Sequence, residues 1–163
     1  MEPVEISAGR LHLRPWQPWD APALQELLDD PEVARWTPHP YPCPPGYAAE
    51  RLAGDAAAWT AGTRAELAVL DATTAALLGT AGLYRISATQ AEVGWVTAAS
   101  VRGQGVATDA VGAVCRWALG GLGLARLEAR VLVGNDASRR VAEKVGFAEI
   151  GVEDGAWVYL LLR

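Results

Sequence analysis

The sequence predicts a mixed α+β fold organised around a mostly antiparallel sheet. Three observations lead there. Apolar residues alternate with polar ones at the period of a strand, most plainly at 127, 129, 131 and 133 in "RLEARVLV". An alanine-rich run over 47–61 and a charged run over 135–145 read as helices, the second stopped by Gly146, a natural C-terminal cap. Hairpin-like strand pairs towards both ends of the chain flank one strand–helix–strand unit in the middle.

The elements follow in order. "RLHLRPW" (10–16) is the first strand, and Asp20 to Asp30 a helix. The proline-rich "WTPHPYPCPPGY" (36–47) cannot be regular structure, because proline removes a donor and fixes φ. A helix runs from Tyr47 to Ala61, followed by a hairpin of "ELAVLDA" and "ALLGTAGLYRI" and then the strand "AEVGWV". Gly103 to Gly120 is helical, 126–133 a strand, and Asn135 to Val145 a helix. "FAEIGV" and "AWVYLLL" close the chain as an antiparallel pair.

Length and composition narrow the function. A chain of 163 residues, 51% apolar and 20% charged, is read as one globular domain over 1–163 rather than a disordered or membrane-embedded chain. Its longest strongly apolar run, "WVYLLL", is far too short to span a bilayer, and "MEPVEISAGR" has no basic flank or apolar signal core. Cys43 and Cys115 form no CxxC pair, which points to a reducing compartment and a cytoplasmic location. The net charge is −5, and no basic stripe appears, so nucleic acid and membrane are not expected partners. A mildly acidic surface favours cationic ligands, though weakly. No carboxylate, thiol or histidine cluster has metal-ligand spacing, and no metal is expected.

The chemistry is concentrated in "SVRGQGVATDAV" (100–111). A glycine-rich turn entering a helix leaves backbone N–H groups pointing at one spot, where the helix dipole also favours an anion. A P-loop requires Lys-Ser or Lys-Thr after its last glycine, where this chain has Val106 and Ala107. A dinucleotide fingerprint follows its strand directly, but residues 97–102 separate the strand from Gly103 here, and Glu128 stands at the wrong end of the next strand. The third phosphate pattern, R-x-x-G-x-A, is met by Arg102, Gly105 and Ala107.

With that motif the chain resembles the GNAT acetyltransferases. "AEVGWV" upstream and "NDASRRVAEKVGF" (135–147), which fits N-x-x-S-x-x-x-x-E-K-x-G-F, extend the likeness. The opening "RLHLRPWQPWDAPAL" resembles the ribosomal-protein-alanine N-acetyltransferase branch, and the resemblance covers about residues 10 to 163. It implies a mixed sheet of six to seven strands, a splayed parallel pair at its centre and helices on both faces. Acetyl-CoA is the implied co-substrate, without a metal.

The resemblance also distributes roles. Arg102, Gly103, Gln104, Gly105, Val106, Ala107 and Thr108 would cradle the pyrophosphate. A bulge at Gly94 would free the backbone of Trp95, Val96 and Thr97 for the pantetheine arm, with the Val96 N–H polarising the thioester carbonyl. Asn135 would cap its helix and reach the same arm. Glu92 is the candidate base and Ser138 the candidate acid, because Ala142 stands where many relatives carry a tyrosine. Trp36, His39 and Tyr41, with Trp59, would line the acceptor wall, His39 being read as a solvated loop residue rather than a second base. The expected activity is acetyl transfer to a primary amine by direct attack in a ternary complex, with a protein or peptide N-terminus as acceptor. The alternatives are a small amine acceptor (a polyamine, aminoglycoside or amino acid) and a non-catalytic acyl-CoA-binding module. Monomer and homodimer are both open.

Overall fold

The computed structural model describes residues 1–163. Strands β1 (Ile6–Ala8), β2 (Leu11–Pro15), β3 (Ala65–Asp71), β4 (Leu77–Tyr84), β5 (Gln90–Thr97), β6 (Arg126–Leu132), β7 (Ala148–Glu153) and β8 (Ala156–Leu162) build one sheet. Their order is β1-β2-β3-β4-β5-β6-β8-β7. Every neighbouring pair is antiparallel except β5 and β6. Eight strands replace the six to seven expected, because β1 is only three residues long and shows no run of alternation. Its pairing with β2 creates it, from Ile6↔Leu13 to Ala8↔Leu11.

Helices α1 (Ala21–Leu28), α2 (Pro31–Trp36), α3 (Tyr47–Ala61), α4 (Val106–Arg116) and α5 (Asp136–Val145) cover the sheet. Helix α2 occupies a stretch that the sequence leaves without an element. Its start is nevertheless conventional: Asp30 accepts from the Glu32 N–H at 2.8 Å, and Pro31 holds the first helical position. Helix α4 begins at Val106, three residues later than expected, and a π-helical turn over Trp117–Gly121 follows it.

Strand parity divides the core in two. Odd-numbered residues such as Leu67, Val69, Ala81, Leu83, Ala91, Val93, Leu127 and Ala129 pack with Val106, Ala110, Val111 and Val114 of α4 in the larger core. Those α4 residues fall one turn apart, so a single stripe meets the sheet. Truncating a fully buried member such as Leu127 to alanine costs about 2–5 kcal/mol. On the opposite face, Leu24, Leu27, Leu28, Val33, Ala48 and Leu52 of α1–α3 form a smaller core, against which Val96 and Tyr47 pack.

The parallel pair is what positions the site. β5 and β6 are in register only at Gln90↔Arg126, Ala91↔Leu127 and Glu92↔Glu128. Beyond Glu92, β5 follows β4 as far as Thr97 and β6 follows β8 as far as Leu132, so the strands diverge and the sheet is split. The expected bulge at Gly94 is absent, since β4 and β5 keep an unbroken register from Tyr84↔Glu92 to Gly79↔Thr97. Glycine leaves room there for another group: a Cβ at 94 would lie 2.9 Å from the Tyr84 ring, which would have to shift. No helix is long and apolar enough to cross a membrane.

Candidate active site

The gap between β5 and β6 is lined by backbone. The Ala98 N–H donates to Leu78 O at 2.9 Å, and hydrogen-bonded pairs recur at every second step of an antiparallel ladder. Val96, which pairs with Thr80, therefore turns its own N–H and C=O to β4. The peptide groups of Trp95 and Thr97 turn the other way, into the gap, where β6 no longer pairs. The expectation of a gap-facing Val96 N–H thus passes to its neighbours, and the reason is the missing bulge. Side chains follow the same parity, Trp95 packing against the larger core and Val96 against the smaller.

At the far end of β5 the chain turns into α4 through Gly103 and Gly105, at φ 75° and 82°. Both lie in the left-handed region that favours glycine, which explains the two glycines one residue apart. None of the backbone N–H groups from Gly103 to Thr108 donates to another group of the protein. They lie at the N-terminus of an eleven-residue helix, so dipole and orphan donors converge on one place. This cradle fits a pyrophosphate. The loop is pinned from outside by Arg10, whose guanidinium donates to Gln104 O, and by the Gln104 side-chain amide, which donates to Ser100 O at 3.2 Å. Arg102 turns away from the cradle. Its Nε donates to Thr97 O at 3.2 Å and its Nη2 to Asp30 Oδ2 at 2.6 Å, tying the loop to the cap of α2.

Across the gap, Asn135 caps α5 by accepting from the Ser138 N–H at 3.1 Å. The Ser138 hydroxyl, half-buried in the first turn, makes no hydrogen bond within the protein and is free to donate. Trp36 reaches this corner, its ring tip 3.6 Å from where a Cβ on Gly134 would sit. Helix α2 therefore leans over the end of β6. His39 is half-buried rather than solvated, its Nδ1 being 3.0 Å from the Tyr47 hydroxyl. Burial and the nearby Arg51 guanidinium push its pKa below the ordinary imidazole value, with Glu66 opposing them. Tyr41 is 54% exposed, and its hydroxyl makes no hydrogen bond within the protein. Trp59 lies in the larger core, stacked on Trp117 with centroids 6.1 Å apart, and does not border the acceptor face.

Without a bulge, parity sets Glu92 on the same face as Gly94 and Val96. Its Oε2 pairs with Arg85 Nη1 at 2.8 Å. Both line a cleft of about 500 Å³ with Arg130, Leu132, Asp154 and Ala156, at the mouth of the split.

The sequence reading missed a buried polar cluster beside this face. Glu66, 4% exposed, pairs with Arg51 at 2.5 Å and accepts from the Thr80 hydroxyl at 3.0 Å. Asp55, 7% exposed, is ion-paired with Arg64. Burial and then the Glu66 carboxylate push the Asp55 pKa up to about 6. The Tyr84 phenol is held well above its ordinary value, by burial first and then by Glu66. Only one signal was available: a glutamate in "ELAVLD", a strand otherwise apolar on both faces until its last residue.

A model of the acetyltransferase (GNAT) domain matches residues 10–148. No curated protein matches the chain. Among solved structures, it is similar to an acetyltransferase of the GNAT family from Bacillus anthracis, at 21% identity over 98% of each chain with a TM-score of 0.87. It is also similar to RimJ from Mycobacterium smegmatis in complex with CoA-disulfide, at 24% identity over 99% of this chain and 86% of that one, with a TM-score of 0.82. RimL, a ribosomal L7/L12 α-N-protein acetyltransferase in complex with coenzyme A, shares 19% identity over 98% of each chain with a TM-score of 0.86. At such identities these likenesses concern the fold, and the family rests on the domain match. The split sheet, the cradle of unpaired amides and that match agree: the chain belongs to the GNAT acetyltransferase family and is an N-acetyltransferase that uses acetyl-CoA.

Proposed function

We propose that the acceptor is the α-amine of a protein or peptide N-terminus, acetylated by direct attack in a ternary complex. The observation that carries this reading is the open cleft at the acceptor-side mouth of the split. Glu92 and Asp154 supply negative charge there, and Arg85 and Arg130 offer donors for peptide carbonyls. The similarity to an α-N-protein acetyltransferase points the same way.

Acetyl-CoA supplies a thioester, whose carbonyl carbon is the electrophile. The chain supplies the rest. The Gly103–Thr108 amides hold the pyrophosphate, with Arg102 fixing the loop's position through Asp30. Asn135 both caps α5 and borders the pantetheine path. A gap-facing N–H of Trp95 or Thr97 stabilises negative charge developing on the carbonyl oxygen. Glu92 takes the proton that an ammonium must lose before it can attack, directly or through water, exchanging Arg85 for the incoming cation. The Ser138 hydroxyl protonates the leaving thiolate.

Proton chemistry favours an α-amine. With pKa values of about 8 and 10.4, roughly a tenth of an α-amine is neutral at pH 7, against well under a thousandth of a lysine. The test compares kcat/KM for peptides with a free N-terminus and no lysine against N-blocked peptides containing one. A higher value for the free N-termini is expected, and a preference for the blocked lysine peptides overturns the assignment. Equal indifference to both, with turnover of polyamines or aminoglycosides, moves the acceptor to small amines.

A further inference from the structure

We propose that a groove beside the phosphate cradle receives the 3′-phosphate of coenzyme A, held by Arg116 and Lys144, so that the enzyme discriminates coenzyme A from its 3′-dephospho form. The inference rests on the Gly103–Thr108 cradle as the place of the pyrophosphate.

The groove starts where the cradle ends. Thr108, the last of the unpaired amides, is also the first α4 residue of a cavity of about 390 Å³ that continues along Asp109, Gly112 and Arg116. Gly9, in the turn between β1 and β2, borders it, and Lys144 lines it from α5. Residues 109, 112 and 116 follow at spacings of three and four, so they form one stripe on α4. Arg116 folds back along that stripe, its Nη1 3.4 Å from where a Cβ on Gly112 would sit. Its guanidinium is thereby level with Gly112, four residues or roughly 6 Å along the helix from Thr108. A step of that size matches the single sugar ring that separates the pyrophosphate of coenzyme A from its 3′-phosphate. Glycine weakens a helix interior, and at 112 the missing side chain leaves the guanidinium its place.

The cations of the groove are uncompensated. Arg14, Arg51, Arg64, Arg102 and Arg139 each pair with a carboxylate. Arg116 and Lys144 are both exposed and pair with none. Asp109, the one acid lining the groove, points back to the loop, its Oδ2 4.0 Å from where a Cβ on Gly105 would sit. On a chain of net charge −5 this is a local excess of positive charge, directly beside a cradle built for an anion. A guanidinium offers paired N–H donors to phosphate oxygens, and an ammonium on a flexible stem adds a second charge-assisted contact.

Calorimetry on the full chain at low ionic strength compares coenzyme A with 3′-dephospho-coenzyme A. The wild type is expected to bind coenzyme A about tenfold more tightly, and that preference to shrink as salt is added. Arg116→Gln and Lys144→Gln should each remove about threefold of it and the double variant all of it, with affinity for the dephospho form kept within about twofold. Both side chains are exposed, so the variants should melt as the wild type does. Equal affinity of the wild type for the two ligands overturns the proposal. So does a preference that persists in the double variant, or a loss that is the same for both ligands. The cradle is tested apart from this, by the binding of the dephospho form to Gly105→Asp, because that ligand lacks the group assigned to Arg116. Either assignment can therefore fail without the other.

Discussion

Arg102 Nη2 lies 2.6 Å from Asp30 Oδ2, while Asp30 Oδ1 accepts from the Glu32 N–H at 2.8 Å. One carboxylate thus caps the helix that leans over the acceptor side and anchors the arginine of the phosphate loop. Burial alone would raise the Asp30 pKa, but the Glu32 N–H and Arg102 outweigh it and hold it below the ordinary value. Its stabilisation is therefore present above the unfolded carboxylate pKa and lost as the pH falls through the depressed one. Asp30→Ala should lower stability by about 0.5–2 kcal/mol, whereas Asp30→Asn keeps the cap and should stay within about 1 kcal/mol. Urea unfolding at neutral pH separates the two, and equal losses would show that the ion pair dominates.

Gly105→Asp should abolish acetyl-CoA binding in a folded protein, because a carboxylate would be added among the loop amides at φ 82°, on a Cβ that itself lies 4.0 Å from Asp109 Oδ2. Gly105→Asn has nearly the same shape without the charge and should weaken binding without abolishing it. Calorimetry showing wild-type affinity in Gly105→Asp would remove the phosphate from this loop.

Ser138→Ala should slow turnover about a hundredfold with little change in acetyl-CoA affinity, since a proton donated to the leaving sulfur acts in the transition state. The Asn135 cap uses the Ser138 N–H, not its hydroxyl, so the helix start survives the change. Full kcat with a good acceptor would reduce Ser138 to a residue of the first turn.

Asp55 makes a stability prediction with a definite sign. Its folded pKa is raised from 3.8 to about 6, so between those values the folded state binds more protons than the unfolded one. Stability should then fall as the pH rises through this window and level off above it. Asp55→Asn should accordingly raise the melting temperature at pH 8 and change it little near pH 4. An Asn variant equally destabilised at both values would mean that the pairing with Arg64 outweighs burial.

Much of this was legible in residue pattern. Period-two alternation marked β2 and β6, apolar runs between turn residues marked the strands from β3 to β8 around them, and the glycines of 100–111 marked the approach to α4 because left-handed φ values leave few other residues to choose from. Asn135 and Ser138 were readable as the cap and first turn of α5, an i, i+3 relation that sequence states directly. What escaped depends on distant partners. Gly94 signals a close approach in any strand, but only the neighbouring strand reveals that Tyr84, and not a bulge, is its cause. β1 is too short to show a period, and α2 is a single capped stretch before the prolines. Glu66 reads as the polar end of a strand until α3 brings Arg51 over it.

The brevity of the β5–β6 pairing has a wider consequence. The two halves of the sheet are joined by three matched positions, and past Glu128 the gap-facing edges of β5 and β6 have lost each other as partners. On the proposed reading, the amide-bearing arm of acetyl-CoA lies along that seam and stands in for the missing strand contacts, as mortar does between two courses of brick. Loading the enzyme and consolidating the fold are then one event. Every tenfold excess of ligand over its Kd adds about 1.4 kcal/mol to the resistance to unfolding. Amide hydrogens of Trp95 and Thr97 should exchange slowly in the loaded protein and quickly in the bare one, and the lifetime of the folded chain should follow the supply of its own co-substrate.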